Sequence, residues 1–167
     1  MDNMKEMFPT VDENGDITGA VSREDAHSGS KVLHPVVHLH VFNSRGELYL
    51  QKRPAWKDIQ PNRWDTAVGG HVEMGENVET ALRREAFEEL KLIRFVPRLI
   101  DRYVFESDRE RELVYVHRTE YDGEILPDKD ELDGGRFWSL DEIDAQLGRD
   151  VFTPNFEHEF KKYRAQW

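Results

Sequence analysis

The segment GGHVEMGENVETALRREAFEELKL, residues 69–92, decides the fold of this chain. Residues 77–90 of this segment contain neither glycine nor proline, which predicts a helix over 77–90. Glu85, Glu88 and Glu89 fall within one arc of about 100° on that helix, beside its apolar stripe. Carboxylates at the margin of a buried face need a partner, so the segment predicts a bound cation.

A divalent metal is the cation that this helix suits best. Arg84, four residues before Glu88, balances only part of the negative charge. Mg²⁺ takes one or two carboxylates, keeps several waters and bridges to substrate phosphates. The alternative is a solvated acidic helix face, which is the commoner meaning of a charge run.

Composition limits the class of protein. The chain has 167 residues, 38% hydrophobic and 34% charged, which predicts one folded domain over 1–167. A net charge of −11 argues against a nucleic-acid polymer as partner. The chain has no apolar run of transmembrane length, no signal-peptide core at its start and no cysteine. These features predict a cytoplasmic protein without a membrane partner, a disulfide or a thiolate metal site.

The pattern along the chain predicts a mixed sheet between helices. Asn14-Gly15 predicts the turn of an N-terminal hairpin, followed by a capped helical turn, together residues 1–30. Ser139 and Thr153 begin two later helices. The remaining strands fall within a core of residues 31–167, at positions 35–42, 47–53, 64–68, 98–107, 110–121 and 136–139.

Eight of nine defined positions in the opening segment resemble the Nudix box, G-x5-E-x7-R-E-U-x-E-E-x-G-U with U aliphatic: Gly70, Glu76, Arg84, Glu85, Ala86, Glu88, Glu89 and Leu92. Lys91 replaces the last glycine, at a position typical of a helix C-cap. The resemblance implies a Nudix-type α/β/α sandwich with a mixed central sheet and an added N-terminal β-hairpin. It also implies metal-dependent hydrolysis of a diphosphate linkage in a small molecule, such as a nucleoside diphosphate derivative.

The same resemblance implies roles for individual residues. A Mg²⁺ or Mn²⁺ site would take its ligands from the turn and the helix: Gly70, Glu85, Glu88 and Glu89. Glu85 would either bind the metal or act as the base that activates water. Glu76 and Arg84 would brace the turn against the helix, which adds Arg84 to the catalytic set. A further ligand or base, or only a solvated loop, is expected at Asp128, Asp130 and Glu131.

A second set of residues resembles the metal site of type I isopentenyl-diphosphate isomerases, which share the Nudix fold: His27, His34, His71, Glu110 and Glu112. Imidazole and carboxylate together favour Mn²⁺ or Zn²⁺ as a second divalent metal. Arg53 and Lys57 match isomerase positions that bind a diphosphate, although a basic stretch after a strand is the alternative.

Two departures favour hydrolysis over isomerisation. The isomerases have a cysteine where this chain has Gly69, which cannot transfer a proton. The Arg84–Glu85 pair of the Nudix box, which the isomerases lack, is present here. A third alternative, a nucleotide-binding module without turnover, would be expected to lose one of the box carboxylates. The sequence leaves open the substrate, the identity of the base and whether the chain forms a homodimer.

Overall fold

A seven-stranded mixed sheet forms the centre of the molecule in the computed structural model, which describes residues 3–167. The elements are β1 (Met7–Val11), β2 (Ile17–Ser22), α1 (Arg23–Ala26), β3 (Leu33–Phe42), β4 (Leu48–Lys52), β5 (Trp64–Thr66), β6 (Val68–His71), α2 (Val78–Leu90), β7 (Arg98–Glu106), β8 (Arg111–Glu120), β9 (Gly135–Trp138), α3 (Leu140–Gln146), α4 (Pro154–Tyr163) and a final 3₁₀ turn, Arg164–Gln166. Met1 and Asp2, part of the predicted N-terminal unit, lie outside the described residues.

Strand β3 is the axis of the sheet. The main path runs β5-β4-β3-β8-β7, β6 pairs with β3, and β9 pairs with β4. β3 runs parallel to β8 and antiparallel to β4 and β6, so the sheet is mixed as predicted. Because side chains alternate along β3, Val37 and Leu39 face α2, while Val36 and Phe42 face the side covered by α4.

Helices cover both faces, which confirms the predicted α/β/α sandwich. Ala81, Leu82 and Ala86 of α2 are fully buried on one face of the sheet. On the other, α4 buries Phe156 and Phe160, whose spacing of four residues puts them on one face of the helix. None of the helices within 3–167 is long and apolar enough to cross a bilayer.

The N-terminal hairpin is a separate two-stranded sheet, β1 with β2, and its turn contains Gly15 at a positive φ of 88°. The side chain of Ser22 then caps α1 by accepting a hydrogen bond from the Asp25 amide at 3.1 Å. Phe8, on β1, is completely buried. The hairpin is therefore packed against the core. It adjoins the histidine cluster that is described below.

The boundaries of the decisive helix follow from its caps. Asn77 accepts a hydrogen bond from the Thr80 amide at 2.8 Å, so the helix begins at Val78. Lys91 ends it in the left-handed conformation, with φ of 60° and ψ of 31°. That conformation costs a non-glycine residue about 1 kcal/mol, which explains why the Nudix pattern has glycine here.

Candidate active site and histidine cluster

The two glycines before the helix lie within a strand, whereas the sequence predicts that the strand ends at them. β6 continues to His71 because its pairing with β3 holds Gly69 and Gly70 extended. Gly70 faces α2, where a Cβ atom would lie 2.2 Å from Cδ of Glu85. No side chain fits in that space, so the glycine permits the close approach of Glu85 to the sheet.

Arg84 ties the turn before α2 to the helix. Its guanidinium donates to both carboxylate oxygens of Glu76, at 2.7 and 2.9 Å, and to the carbonyl of His71 at 3.0 Å. It also donates to Glu85 at 2.9 Å and to Glu88 at 3.2 Å. These carboxylates raise the pKa of Arg84, so it remains a permanent cation. One side chain thus positions the strand end, the turn and two helix carboxylates.

Glu85 and Glu89 are held close to the sheet, where the neighbouring positive charge does not balance the charge of two carboxylates. Burial raises the pKa of Glu85 to about 7, against the opposing attraction of Arg84. Burial and the neighbouring charge of Glu85 raise the pKa of Glu89 well above its usual range. Glu88 differs, because 54% of its side chain is exposed. The raised pKa values mean that the charged form of both carboxyl groups is disfavoured here, and a bound cation would favour that form.

The backbone amide that contacts the Glu89 carboxylate belongs to Gly69. The amide of Gly69 donates to Oε2 of Glu89 at 3.1 Å. On β3, Pro35 accepts from the Val72 amide at 3.1 Å, and hydrogen-bonded pairs alternate along an antiparallel ladder. The N–H and C=O of Gly70 therefore point to β3, and those of Gly69 point outward. The outward carbonyl is therefore that of Gly69, whereas the sequence prediction selects the Gly70 carbonyl as ligand. Which of the two carbonyls points outward depends on strand register.

The acidic loop after β8 contacts the end of the same helix. The amides of Leu126 and Asp128 donate to the carbonyls of Leu90 and Glu89 at 3.0 and 2.8 Å. These bonds satisfy carbonyls that the end of a helix leaves without partners. Within this loop Asp128 lies next to the site, Asp130 is exposed, and Glu131 forms an ion pair of 3.3 Å with Lys57.

The two basic residues predicted to bind substrate have acidic neighbours. Arg53 Nη1 lies 3.6 Å from Asp65, and its Nε donates to the carbonyl of Ile59 at 2.9 Å. Lys57 lies over the ring of Trp56, 4.7 Å from its centroid, besides its ion pair with the acidic loop. The sequence analysis did not single out Asp65, because nothing in the sequence around an acidic residue of a short strand indicates that it pairs with Arg53.

Three histidines and a glutamate of the second sequence pattern converge where β3 begins and β6 ends. One ligand atom from each of them lies within 4.8 Å of all the others: His27, His34, His71 and Glu110. His27 Nε2 is 3.0 Å from Glu110 Oε2 and 3.1 Å from His71 Nε2. Glu112 is the fifth predicted residue, and its Oε2 lies 3.9 Å from His71 and 4.0 Å from His34.

The donor atoms of this cluster fit a metal. Nδ1 of His34 donates to the carbonyl of Val32 at 2.9 Å, so Nε2 keeps its lone pair. Within residues 3–167, Nε2 of His34 and Oε2 of Glu110 are buried without a hydrogen bond, which a cation between them would relieve. Burial lowers the pKa of His34 and, more strongly, that of His71, so both rings favour the neutral form that ligates. Phe8 stacks on His71 at 4.3 Å and joins the hairpin to the cluster.

A buried carboxylate on α4 is a feature that sequence analysis missed. Glu159 is fully buried and accepts hydrogen bonds from His38, His40 and Tyr103 at 2.6, 2.9 and 2.6 Å. A signal was present, because Glu159 interrupts the apolar stripe three residues after Phe156. The two histidines share strand parity with His34, so they face the same side of the sheet.

Comparison with known proteins agrees with this geometry. The family model for the NUDIX domain matches residues 32–156. A Listeria monocytogenes protein described as an uncharacterised Nudix hydrolase is 28% identical, over 90% of each chain. An isopentenyl-diphosphate delta-isomerase from Burkholderia multivorans is 31% identical, over 85% of this chain and 87% of that one. A crystal structure from Deinococcus radiodurans shares the fold, with a TM-score of 0.81, 24% identity and coverage of 94% and 98%.

Proposed function

This chain belongs to the NUDIX domain family, and we propose that it hydrolyses a diphosphate linkage in a small molecule, with Mg²⁺ or Mn²⁺ bound at Glu88 and Glu89 and with Glu85 as the base. One observation carries the proposal: Glu85 and Glu89 are packed beside Gly69 and Gly70 at a cost in electrostatic free energy that a divalent cation would offset. Family membership implies hydrolysis of a pyrophosphate bond, whereas the substrate class and the metal belong to the proposal.

The roles of the residues follow from their contacts. When bound, the metal neutralises diphosphate charge and lowers the pKa of a coordinated water. Glu89 and Glu88 supply carboxylate ligands, and strand register supports the Gly69 carbonyl as backbone ligand. Glu85 accepts the proton as the water oxygen bonds to phosphorus and the bridging P–O bond breaks.

A second divalent metal, Mn²⁺ or Zn²⁺, is proposed at the histidine cluster. The support is the convergence of four donors within 4.8 Å and the orphaned Nε2 of His34. Because His27 follows α1 and His71 ends β6, the metal would join the N-terminal hairpin to the strand that precedes the box helix. Arg53 and Lys57 are proposed to bind the substrate diphosphate, which would compete with Asp65 and Glu131 for them.

Isomerisation of isopentenyl diphosphate is the second candidate, favoured by the histidine cluster and by the isomerase relative. The geometry at Gly69 opposes it. That residue has no side chain, and the ring that lies next to it belongs to His38. Hydrolysis needs only a metal-activated water and a base, both of which the box carboxylates can serve.

The test is hydrolysis of a panel of nucleoside diphosphate derivatives, sugar nucleotides and thiamine diphosphate with Mg²⁺ or Mn²⁺. Release of phosphate or of a monophosphate product from one of them is expected, and Glu89→Gln should reduce kcat by a factor of about 100 or more. Glu79→Gln is the matched control, since Glu79 lies on the same helix with 69% of its side chain exposed. Absence of hydrolysis across the panel, or near-normal kcat in Glu89→Gln at saturating metal, would overturn the proposal.

A further inference from the structure

We propose that His38, held by the buried carboxylate of Glu159, is a substrate-binding residue whose Nε2 donates a hydrogen bond to a phosphate oxygen beside Gly69. This inference rests on the proposed function, because it names a group that would hold the diphosphate. It concerns a residue outside both the box carboxylates and the histidine cluster.

His38 is accessible from the site because the residue paired with it is a glycine. In the register of β3 and β6, His38 is paired with Gly69. A Cβ atom on Gly69 would lie 3.4 Å from Cδ2 of His38 and 3.7 Å from its Nε2. The edge of the ring that carries Nε2 therefore faces the space above the glycine. Since Gly69 has no side chain to cover this edge, a ligand atom can approach it.

The other nitrogen of the ring is fixed. Nδ1 of His38 is 2.6 Å from Glu159, whose carboxylate also accepts from His40 and Tyr103. Three donors to one fully buried carboxylate leave it little freedom to move. The ring of His38 is therefore held in one orientation, which is what a residue needs in order to position a ligand.

Nε2 is the nitrogen of the His38 ring that a ligand can approach. Throughout residues 3–167, the hydrogen bond of the His38 ring is made through Nδ1, and 12% of the side chain is exposed. A fully buried carboxylate 2.6 Å from Nδ1 favours the ring that carries hydrogen on both nitrogens. In that form Nε2 can donate to an anionic oxygen.

Gly69 connects this donor to the proposed catalytic carboxylates. Its amide contacts Glu89 at 3.1 Å, while its α-carbon faces His38. The site is otherwise rich in carboxylates, and the charges of Glu112 and Asp65 also favour a cation at His38. His38 and the box helix lie on opposite faces of β6, and the outward edge of Gly69 lies between them. A diphosphate along that edge would thus have the metal-binding carboxylates towards one face and the imidazole of His38 towards the other.

The test compares His38→Asn with the matched control His40→Asn. Asparagine retains a nitrogen donor near the position of Nδ1, so Glu159 keeps a partner, but it has no group in place of Nε2. His40 donates to the same carboxylate and is fully buried, so its replacement disturbs the network without touching the site. We expect His38→Asn to raise KM about tenfold or more with a smaller change in kcat, and His40→Asn to leave KM within about twofold.

A binding measurement separates this inference from the proposed function. In wild-type protein labelled with ¹⁵N-histidine, inorganic pyrophosphate with Mg²⁺ should shift the Nε2 resonance of His38, which is identified by its absence from the His38→Asn spectrum. The pyrophosphate Kd should rise about tenfold or more in His38→Asn.

The outcomes are distinct. If the panel is not hydrolysed but pyrophosphate shifts the Nε2 resonance, the proposed function fails and the His38 assignment stands. An unshifted resonance, an unchanged pyrophosphate Kd in His38→Asn, or an equal rise of KM in His40→Asn would overturn the assignment, even if hydrolysis is found.

Discussion

Arg84 binds both oxygens of the Glu76 carboxylate, with Nε 2.7 Å from one and Nη2 2.9 Å from the other. The two are eight positions apart along the chain, and this bidentate contact folds the turn before α2 back onto the helix. The same guanidinium reaches Glu85 and the carbonyl of His71, so it sets where the box carboxylates lie relative to β6. The first prediction follows from this geometry.

Arg84→Lys should lower kcat/KM for the hydrolysed substrate about 10- to 100-fold. Lysine retains the charge but cannot present a planar fork to Glu76 while also contacting Glu85 and the strand. Loss of hydrogen bonds to a charged group accounts for an effect of this size. Steady-state kinetics measure it, and circular dichroism checks the fold. Arg83→Lys is the control, because Arg83 pairs with exposed Glu79 outside the site; equal losses in the two variants would contradict the prediction.

Isopentenyl diphosphate should not be converted to dimethylallyl diphosphate. A proton donor is needed where Gly69 stands, and the neighbouring His38 is engaged through Nδ1 by Glu159. The measurement is product analysis by NMR or mass spectrometry after incubation with Mg²⁺ and Mn²⁺. Product that requires the protein and that is lost in His38→Asn would show that the imidazole replaces the missing group, and the hydrolase assignment would then be wrong.

Protein purified without chelators should contain close to one Mn, Zn or other transition-metal ion per chain, and His34→Ala should lose it. His34 contributes a buried Nε2 that has no hydrogen bond to any residue the structure describes. Elemental analysis measures the content. His117→Ala is the matched control, since His117 is also buried and its Nδ1 bonds the carbonyl of Tyr115 outside the cluster. Negligible metal in wild-type protein, even after incubation with Mn²⁺ or Zn²⁺ at neutral pH, would refute the second site.

The His38–Glu159 pair should make stability depend on pH in one direction. The folded-state pKa of His38, about 9, exceeds the ordinary value of 6.5. Protonation of His38 therefore stabilises the fold fully below pH 6.5, and the contribution is lost as pH rises through 9. Urea unfolding of wild type and His38→Asn should give a larger difference in unfolding free energy at pH 6 than at pH 10. A difference independent of pH would contradict the ion pair.

Local signals account for the parts of the structure that were predicted well. The caps at Asn77 and Ser139 and the turn at Gly15 act within a few residues, so sequence alone locates these elements. The placement of the box carboxylates on one side of a single helix was also predictable, because helical periodicity can be read from the spacing of residues in the sequence. The histidine cluster was also predicted, but through resemblance to a family, since its members come from distant segments.

Strand register and helix docking decided what sequence could not. Which glycine turns its backbone toward Glu89 depends on how β6 pairs with β3, and a shift of one residue would exchange Gly69 for Gly70. The partnership of His38 and Glu159 spans 121 positions along the chain and exists only because α4 packs on β3. Sequence determined the carboxylates, the helix that carries them and the family. Tertiary structure decided which backbone amide meets Glu89 and which imidazole lies beside Gly69, because those contacts depend on packing between elements rather than on spacing within one.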